Sequence, residues 1–209
     1  MTTWQDDEKV DEYVARVGRL AARQAGEAAL VEALPVSVER VLDLGCGDGR
    51  LAALVLEARP DAREAVAFDR SPPMLDLARQ RFAGDDRVRV GAHDLVEPLP
   101  AGVLGAFDVI VSGFAIHHLE DDRKRALLGE VAALLAPGGV FANLEVVLCP
   151  TPELQAAFYD AIGRPGGDPE DRLAPVEPQL GWMRSAGLEQ VDCFWKWRGF
   201  ALLVGQAPA

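Results

Sequence analysis

The sequence predicts an α/β protein in which helices cover both faces of a mostly parallel, doubly wound sheet. Short apolar runs alternate with helical patterns through the middle of the chain, and this alternation is typical of parallel sheets. Three glycines follow the first such run in "VLDLGCGDGR" (41–50), where the backbone must turn tightly or let a ligand approach closely. Near the C-terminus, two further strand-like runs predict an antiparallel hairpin that completes a seven-stranded sheet.

The first elements are predicted by the spacing of their apolar residues. Apolar side chains on one helical face between residues 6 and 34 predict an N-terminal helical segment, which Pro35 ends. Helical patterns near 51–58, 74–78 and 127–134 then separate the strands of the sheet. Ser71 is expected to cap the second of these helices, which begins with two prolines. The predicted parallel strands are "RVLDL" (40–44), "AVAFD" (65–69), "RVRVG" (87–91), "FDVIVS" (107–112) and "GGVFANLEVV" (138–147).

The composition changes after residue 148. A short helical stretch, "CPTPELQAAFYDAIG", precedes "RPGGDPEDRLAPVEP", which is rich in proline, glycine and charge and predicts a mobile surface loop. A last helix around "PQLGWMRSAG" leads to the hairpin strands "EQVDCFWKW" and "FALLVG", joined at Arg198-Gly199. We therefore expect one domain over 1–209, with an N-terminal helical cap (1–37), a ligand-binding core (38–147), a variable helix and loop (148–180) and a closing helix and hairpin (181–209).

The charge balance argues against several classes of partner. The chain has 21 Lys and Arg against 33 Asp and Glu, a net charge of −12, which disfavours nucleic acid and anionic lipid. The acidic N-terminus lacks the features of a signal peptide, and no stretch is apolar for long enough to span a bilayer, so we expect a cytoplasmic protein without a membrane partner. The three cysteines show no metal or disulfide spacing. The oligomeric state, monomer or homodimer, is left open.

Acidic residues follow three of the predicted strands. Open α/β sheets bind ligands at the carboxyl ends of their strands, where Asp43, Asp69 and Asp94 are expected. A dinucleotide fingerprint needs a glycine where this chain has Arg50. The acids beside the segment Gly45–Gly49, which we call the glycine turn, disfavour a pyrophosphate. Asp69 is placed to accept hydrogen bonds from the vicinal hydroxyls of a ribose. The pattern therefore indicates a nucleoside with a cationic, amino-acid-like tail.

Five motifs in order make the sequence resemble the class I S-adenosylmethionine-dependent methyltransferases, which have a Rossmann-like fold. They are "VLDLGCGDG", "AVAFDRSPPML", "GAHDL", "FDVIVSGFAIHHL" and "LLAPGGVF", and they span about residues 38–147. The tail "GWMRSAGLEQVDCFWKWRGFALLVG" resembles the closing helix and reversed hairpin of that family.

The resemblance implies S-adenosylmethionine as the cofactor and S-adenosylhomocysteine as its product. It places the methionine part at Asp43 and the glycine turn, the ribose at Asp69 and the adenine near Asp94, with Arg70 or Met74 against the ring. Asp43 could instead only accept hydrogen bonds from nearby backbone amides. Tyr13 could close over the cofactor, or belong to the apolar stripe of its helix. The predicted cofactor-binding residues are Tyr13, Asp43, Gly45, Cys46, Gly47, Gly49, Asp69, Arg70, Met74, His93, Asp94, Leu95 and Ser112.

Three residues are candidates for proton transfer in catalysis. His117 and His118 follow the fourth strand, where the acceptor pocket of the family opens, and Glu145 is a charge within an apolar strand. Adjacent residues point in different directions, so at most one histidine is expected to face the acceptor. For the same reason, we do not expect the two histidines to form a paired metal site. The alternative is that both histidines pack in a turn and that Glu145 forms an ion pair.

The acceptor is expected to be a small molecule, with methyl transfer that needs no metal ion. Candidates for binding it are Tyr159, Arg172, Trp195 and Trp197, although ordinary sheet packing would also explain the two tryptophans. Three alternatives stay open: a catalytically silent cofactor-binding protein, a nicotinamide-dependent oxidoreductase, which Arg50 disfavours, and an enzyme whose acceptor is RNA or protein.

Overall fold

The computed structural model describes residues 20–209 and confirms the predicted fold. Seven strands form one sheet in the order β3-β2-β1-β4-β5-β7-β6. Neighbouring strands from β3 to β5 pair in parallel, β7 runs antiparallel to β5, and β6 pairs with β7 as the predicted hairpin. The strands are β1 (Arg40–Leu44), β2 (Glu64–Asp69), β3 (Val88–Ala92), β4 (Phe107–Gly113), β5 (Leu135–Val146), β6 (Glu189–Trp197) and β7 (Phe200–Gln206).

Helices connect the strands on both faces of the sheet. The predicted N-terminal helix is described from Ala21, and the predicted cofactor contact Tyr13 lies outside the described residues. A 3-10 turn, Ile116–His118, follows β4 directly. The helices are α1 (Ala21–Ala33), α2 (Arg50–Ala58), α3 (Pro72–Arg81), α4 (Ala101–Leu104), α5 (Asp121–Leu134), α6 (Pro152–Ala161) and α7 (Val176–Ser185).

Alternate residues of the strands pack into two separate cores. In β1, Val41 faces the core that contains α1 and α2, whereas Leu42 faces the core that contains α5 and α7; both are fully buried. This is the period of two that a strand covered on both faces requires. The central strands are therefore rigidly held, and their carboxyl ends share one edge of the sheet.

Local chemistry fixes where the helices begin. The Ser71 hydroxyl accepts a hydrogen bond from the Met74 amide at 3.4 Å, which confirms the predicted cap of α3. At the start of α2, Gly49 adopts φ +78°, and a Cβ there would lie 2.5 Å from the Phe82 ring. Glycine is therefore needed at this position for both its conformation and its size.

The segment 164–175, which we call the α6–α7 loop, lies against the 3-10 turn. The Arg172 amide donates to the His117 carbonyl at 2.9 Å, and the Tyr159 hydroxyl donates to the Asp171 carboxylate at 2.7 Å. The Lys124 ammonium, almost fully buried, also donates to the Arg172 carbonyl. These contacts hold the middle of a segment that the sequence predicts to be a mobile loop.

Across the part of the chain from residue 20 onward, no helix combines the length and the apolar character needed to cross a membrane.

Candidate functional site

A cleft opens where four parallel strands end. Its walls come from the turns after β1, β2, β3 and β4 and from α1, and it encloses about 840 Å³ including its open mouth. This is the edge of an open α/β sheet at which ligands bind. Ten of the predicted residues line it: Gly45, Cys46, Gly47, Asp69, Arg70, Met74, His93, Asp94, Leu95 and His118.

Asp69 lies at the end of β2 and is tied to the glycine turn. One carboxylate oxygen accepts from the Gly47 amide and the other from the Ser71 amide, both at 2.8 Å. Burial raises the pKa of Asp69, although these amides and the Arg70 guanidinium favour the charged form. Each carboxylate oxygen has a further lone pair, so the group can still accept from ligand hydroxyls.

The glycine turn has a backbone that only glycine adopts easily. Gly45 and Gly47 have φ values of +71° and +54°. A Cβ on Gly45 would come within 2.2 Å of the Ala115 side chain, whereas one on Gly47 would meet only the Met74 sulfur at 3.8 Å. Gly45 therefore allows two chain segments to pack, and Gly47 leaves backbone open to the cleft.

Asp43 lies behind this turn rather than in the main cleft. One of its oxygens accepts from the Ala52 amide at 3.0 Å, and the other is buried without a hydrogen-bond partner. Burial raises its pKa to about 7, and nearby Asp69 and Asp48 add to the effect. It lines a smaller adjoining cavity of about 290 Å³ together with Arg23. A cationic group bound there would satisfy the unpaired oxygen.

Two predicted cofactor contacts serve the protein backbone instead of lining the cleft. The Ser112 hydroxyl is fully buried and donates to the Leu44 carbonyl at 2.7 Å. Gly49 begins α2 beside Phe82. Both residues shape the edge of the sheet without presenting an atom to the cleft.

The two adjacent histidines occupy different environments. The His117 Nδ1 atom lies 2.5 Å from Glu145 Oε1, and its Nε2 atom lies 3.4 Å from Asp171 Oδ1. Burial lowers the pKa of His117, but the two carboxylates outweigh it and raise the value to about 9. His118 instead lines the cleft, and burial together with the charge of His117 lowers its pKa to about 4. At neutral pH His117 is therefore an imidazolium held by two acids, and His118 is a neutral imidazole.

Glu145, a predicted catalytic candidate, forms the ion pair that the alternative interpretation of this residue described. Its side chain is 1% exposed; besides the His117 ring, it accepts from the amides of His117 and Val146, both at 2.9 Å. It does not line the cleft, and its contacts hold the ring and the amide of His117.

The sequence excluded a metal site here because adjacent side chains usually diverge. In the structure, however, the rings of His117 and His118 lie 4.0 Å apart, centroid to centroid, with Asp171 beside them. One donor atom from each of these three residues falls within 4.8 Å of the other two. The 3-10 turn brings the rings together, and the distant α6–α7 loop supplies the acid.

The four predicted acceptor-binding residues do not line the cleft. Tyr159 is engaged with Asp171, and the Arg172 guanidinium pairs with Glu120 on the surface. Trp195 and Trp197 pack in an apolar cluster with Phe158 and Phe200, beyond the end of β5. The tryptophans therefore share a packing face, as the alternative explanation for them predicts.

Sequence reasoning missed several residues of the site. Arg23 of α1 lines both cavities, with its guanidinium 4.9 Å from the centre of the Phe114 ring. Phe114 adopts φ +57°, which is unusual for an aromatic residue and turns its ring at the end of β4. Arg50 donates to Glu27 through two nitrogens, at 2.7 and 2.8 Å, and so ties α1 to the glycine turn. Only Arg50 had a signal, because it interrupts the glycine pattern.

Comparisons with known proteins agree with this geometry. A family profile described as a methyltransferase domain matches residues 42–141. An uncharacterised methyltransferase of Mycobacterium bovis is 38% identical over 132 residues, which cover 63% of this chain and 61% of that protein. A demethylmenaquinone methyltransferase of Thermus thermophilus is 40% identical over 115 residues, 54% of this chain and 50% of that protein. The matches thus span half to three fifths of these relatives.

Solved structures extend the likeness in fold to nearly the whole chain. The structure of an O-methyltransferase family protein from Burkholderia thailandensis superposes with a TM-score of 0.74 at 22% identity, covering 97% of this chain and 60% of that one. The chain is therefore similar to methyltransferases in sequence over residues 42–141 and in fold over nearly its whole length.

Proposed function

We propose that this protein transfers a methyl group from S-adenosylmethionine to an oxygen, nitrogen or carbon atom of a small molecule. One observation carries the proposal: a single cleft has nucleoside-binding chemistry at one end, in Asp69 and Asp94, and a neutral imidazole, His118, in its wall. A donor and an acceptor could therefore meet in it.

The residues of the cleft fit the charge and shape of the donor. Asp43, Asp48 and Asp69 surround the glycine turn, and the buried, unpaired Asp43 oxygen suits a cationic amino-acid tail. Asp69 offers acceptors for a ribose, while Met74 and Leu95 supply apolar surface for a base. A pyrophosphate would be repelled by the same carboxylates, which supports a sulfonium nucleoside over a dinucleotide.

The main requirement of the reaction is that the protein positions the donor and the acceptor. The sulfonium supplies an activated methyl group with a good leaving group, so no metal ion is needed for an in-line displacement. The chain orients the acceptor and excludes water with Phe114, Ala115 and Leu119. Where the acceptor must lose a proton, His118 is the imidazole in the cleft wall to accept it; its lowered pKa keeps it neutral at physiological pH and makes it a weak base.

His117 and Glu145 act on His118 indirectly. Glu145 fixes the His117 ring and amide, and the His117 imidazolium lies against His118 and disfavours a second positive charge there. These two residues are positioning residues, and the α6–α7 loop contributes Asp171 to the same network.

The net charge of the chain and the name of one relative favour a small acceptor over a macromolecule. The net charge of −12 disfavours RNA, and the Thermus thermophilus relative carries the name of an enzyme acting on demethylmenaquinone. A protein acceptor, or a protein that binds the cofactor without turnover, is the competing interpretation.

The first experiment measures the melting temperature with S-adenosylhomocysteine, S-adenosylmethionine and NADH. A ligand at about one hundred times its dissociation constant adds roughly 2.7 kcal/mol of stability, so the first two should raise the melting temperature and NADH should not. Asp69→Ala should abolish the shift. Asp76→Ala, which removes an exposed acid on α3, is the matched control and should keep it.

The second step supplies S-adenosylmethionine with a metabolite pool, a protein extract or RNA and follows release of S-adenosylhomocysteine. Turnover with the metabolite pool alone supports the proposal. Binding without turnover in any pool would favour the silent binding protein, and turnover only with RNA or protein would overturn the small-molecule acceptor.

A further inference from the structure

We propose that His117, His118 and Asp171 form a binding site for a divalent transition metal of the zinc type. Glu145 lies behind His117 as the carboxylate that orients it, and a tetrahedral ion would keep a fourth position for water. The proposal concerns metal binding by this chain and stands independently of methyl transfer.

One of the distances between the donor atoms already equals the distance between two ligands of a tetrahedral zinc ion. Zinc bonds of about 2.0–2.1 Å place neighbouring tetrahedral ligands about 3.3–3.4 Å apart. His117 Nε2 and Asp171 Oδ1 are 3.4 Å apart, and His118 Nδ1 lies 3.9 Å from the same oxygen. All three donor atoms lie within 4.8 Å of one another, so a bound ion would draw the longer edges in by about 1.5 Å at most.

The surroundings of His117 are those of a metal-ligating histidine. Its Nδ1 atom is 2.5 Å from Glu145 Oε1, which leaves Nε2 as the atom aimed at Asp171. A carboxylate on the far nitrogen fixes the tautomer and the ring orientation of histidine ligands. Glu145 is in turn held by two backbone amides, so this arrangement exists before any ion arrives.

Burial and charge also favour a dication. The side chains of His117, His118 and Asp171 are 7%, 15% and 9% exposed. Glu145 and Asp171 bring two negative charges to one imidazole, so a dication balances the site more fully than a single proton does. Two imidazole nitrogens and one carboxylate select zinc or cobalt over magnesium, which prefers oxygen ligands.

The ion would join two distant parts of the chain. His117 and His118 belong to the turn after β4, whereas Asp171 belongs to the α6–α7 loop, which is otherwise held there by hydrogen bonds. Metal binding would therefore fix the loop. If the proposed function holds, it would also engage His118 and so slow methyl transfer.

The test titrates untagged protein with Co²⁺ and Zn²⁺. The whole chain contains three histidines, so His93→Gln is a matched control for His118→Ala. Asp168→Asn, an acid of the same loop that pairs with Arg164, is the control for Asp171→Asn. Co²⁺ should produce visible absorption bands of tetrahedral intensity with one equivalent bound, and Zn²⁺ should displace it.

We expect His118→Ala and Asp171→Asn each to weaken Zn²⁺ binding at least about 10-fold, with both controls unchanged. Zn²⁺ should also raise the melting temperature and protect the loop from trypsin, which has a site at Arg172. Folding of each variant is checked by circular dichroism, and His118→Ala leaves the Glu145 pair intact if Asp171→Asn fails to fold. The absence of a one-equivalent Co²⁺ spectrum, or a spectrum that survives in both variants, would overturn the site.

Discussion

At the residue scale, His117 and His118 show how surroundings separate two identical side chains. His117 is buried and His118 is partly buried, and burial alone lowers the pKa of an imidazole. Glu145 and Asp171 reverse this effect at His117, whose pKa rises to about 9. The resulting charge reinforces the effect of burial at His118, whose pKa falls to about 4. The pair therefore has one charged and one neutral member over most of the physiological pH range.

The opposite shifts predict opposite effects on stability. The folded-state pKa of His117 lies above the ordinary 6.5, so its contribution is fully present below pH 6.5 and is lost as pH rises to about 9. By the linkage relation this is worth on the order of 3 kcal/mol. His117→Gln should therefore be more destabilising at pH 6 than at pH 9.5, as measured by urea unfolding.

His118→Gln is the matched comparison, with the reverse sign. Its folded-state pKa is below 6.5, so the wild-type residue costs stability as pH falls from 6.5 towards 4. The variant should gain stability relative to wild type at pH 5. Parallel pH dependences in the two variants would contradict the assignment of the charged and the neutral histidine.

Residues differed in how far the sequence could predict them. Asp69 was predictable because its strand and its position at the strand end are both local in sequence. Asp171 was not, because it reaches His117 across 171 − 117 = 54 residues through an irregular loop. Tyr159 and Trp197 are of the aromatic residue type expected in an acceptor-binding site. Only tertiary packing, however, decides whether such a residue faces a cleft or a core.

At the element scale, the glycine turn after β1 has two separate requirements. Gly45 needs a positive φ, and it also needs to lack a side chain because Ala115 would lie 2.2 Å from its Cβ. Gly84 shares the positive φ, at +88°, but a Cβ there would meet nothing within 4 Å. The two positions therefore distinguish backbone strain from close packing.

Gly45→Ala should be clearly more destabilising than Gly84→Ala, which should cost only about 1–2 kcal/mol for the left-handed backbone. The clash in Gly45→Ala displaces the turn after β4 and should also abolish the thermal shift with S-adenosylhomocysteine. Differential scanning fluorimetry with and without ligand measures both effects. Equal destabilisation in the two variants would mean that the turn carrying Ala115 moves aside at little cost in free energy.

The elements themselves were largely predictable because each carries a local signal. Alternating apolar runs predicted the strands, and Ser71 with Pro72 predicted the start of α3. The contacts between elements were less predictable from the sequence. The ion pair of Arg50 with Glu27 joins α1 to the glycine turn, and nothing near either residue predicts this pair.

At the scale of the whole molecule, the net charge of −12 and the acids of the cleft act on different ranges. Long-range repulsion of anions is a property of the entire surface and is screened by salt. Asp48 and Asp69 instead act within the cleft, and Asp43 acts in the adjoining cavity. The sequence predicted both, because composition determines the first and the strand ends determine the second.

A comparison of two ligands separates these contributions. S-adenosylmethionine carries one more positive charge than S-adenosylhomocysteine, so its affinity should fall several-fold more steeply as salt rises from about 0.1 M to about 1 M, which shortens the Debye length from about 10 Å to about 3 Å.

Arg81 pairs with Asp48 beside the glycine turn, whereas Arg63 pairs with Glu39 at the opposite ends of the strands. Both Arg81→Gln and Arg63→Gln change the net charge to −13, since each removes one positive charge from −12. Isothermal titration calorimetry should find that only Arg81→Gln increases the preference for S-adenosylmethionine, because it frees Asp48 in the cleft. Equal effects of the two variants would mean that the overall charge, and not the acids of the cleft, attracts the sulfonium.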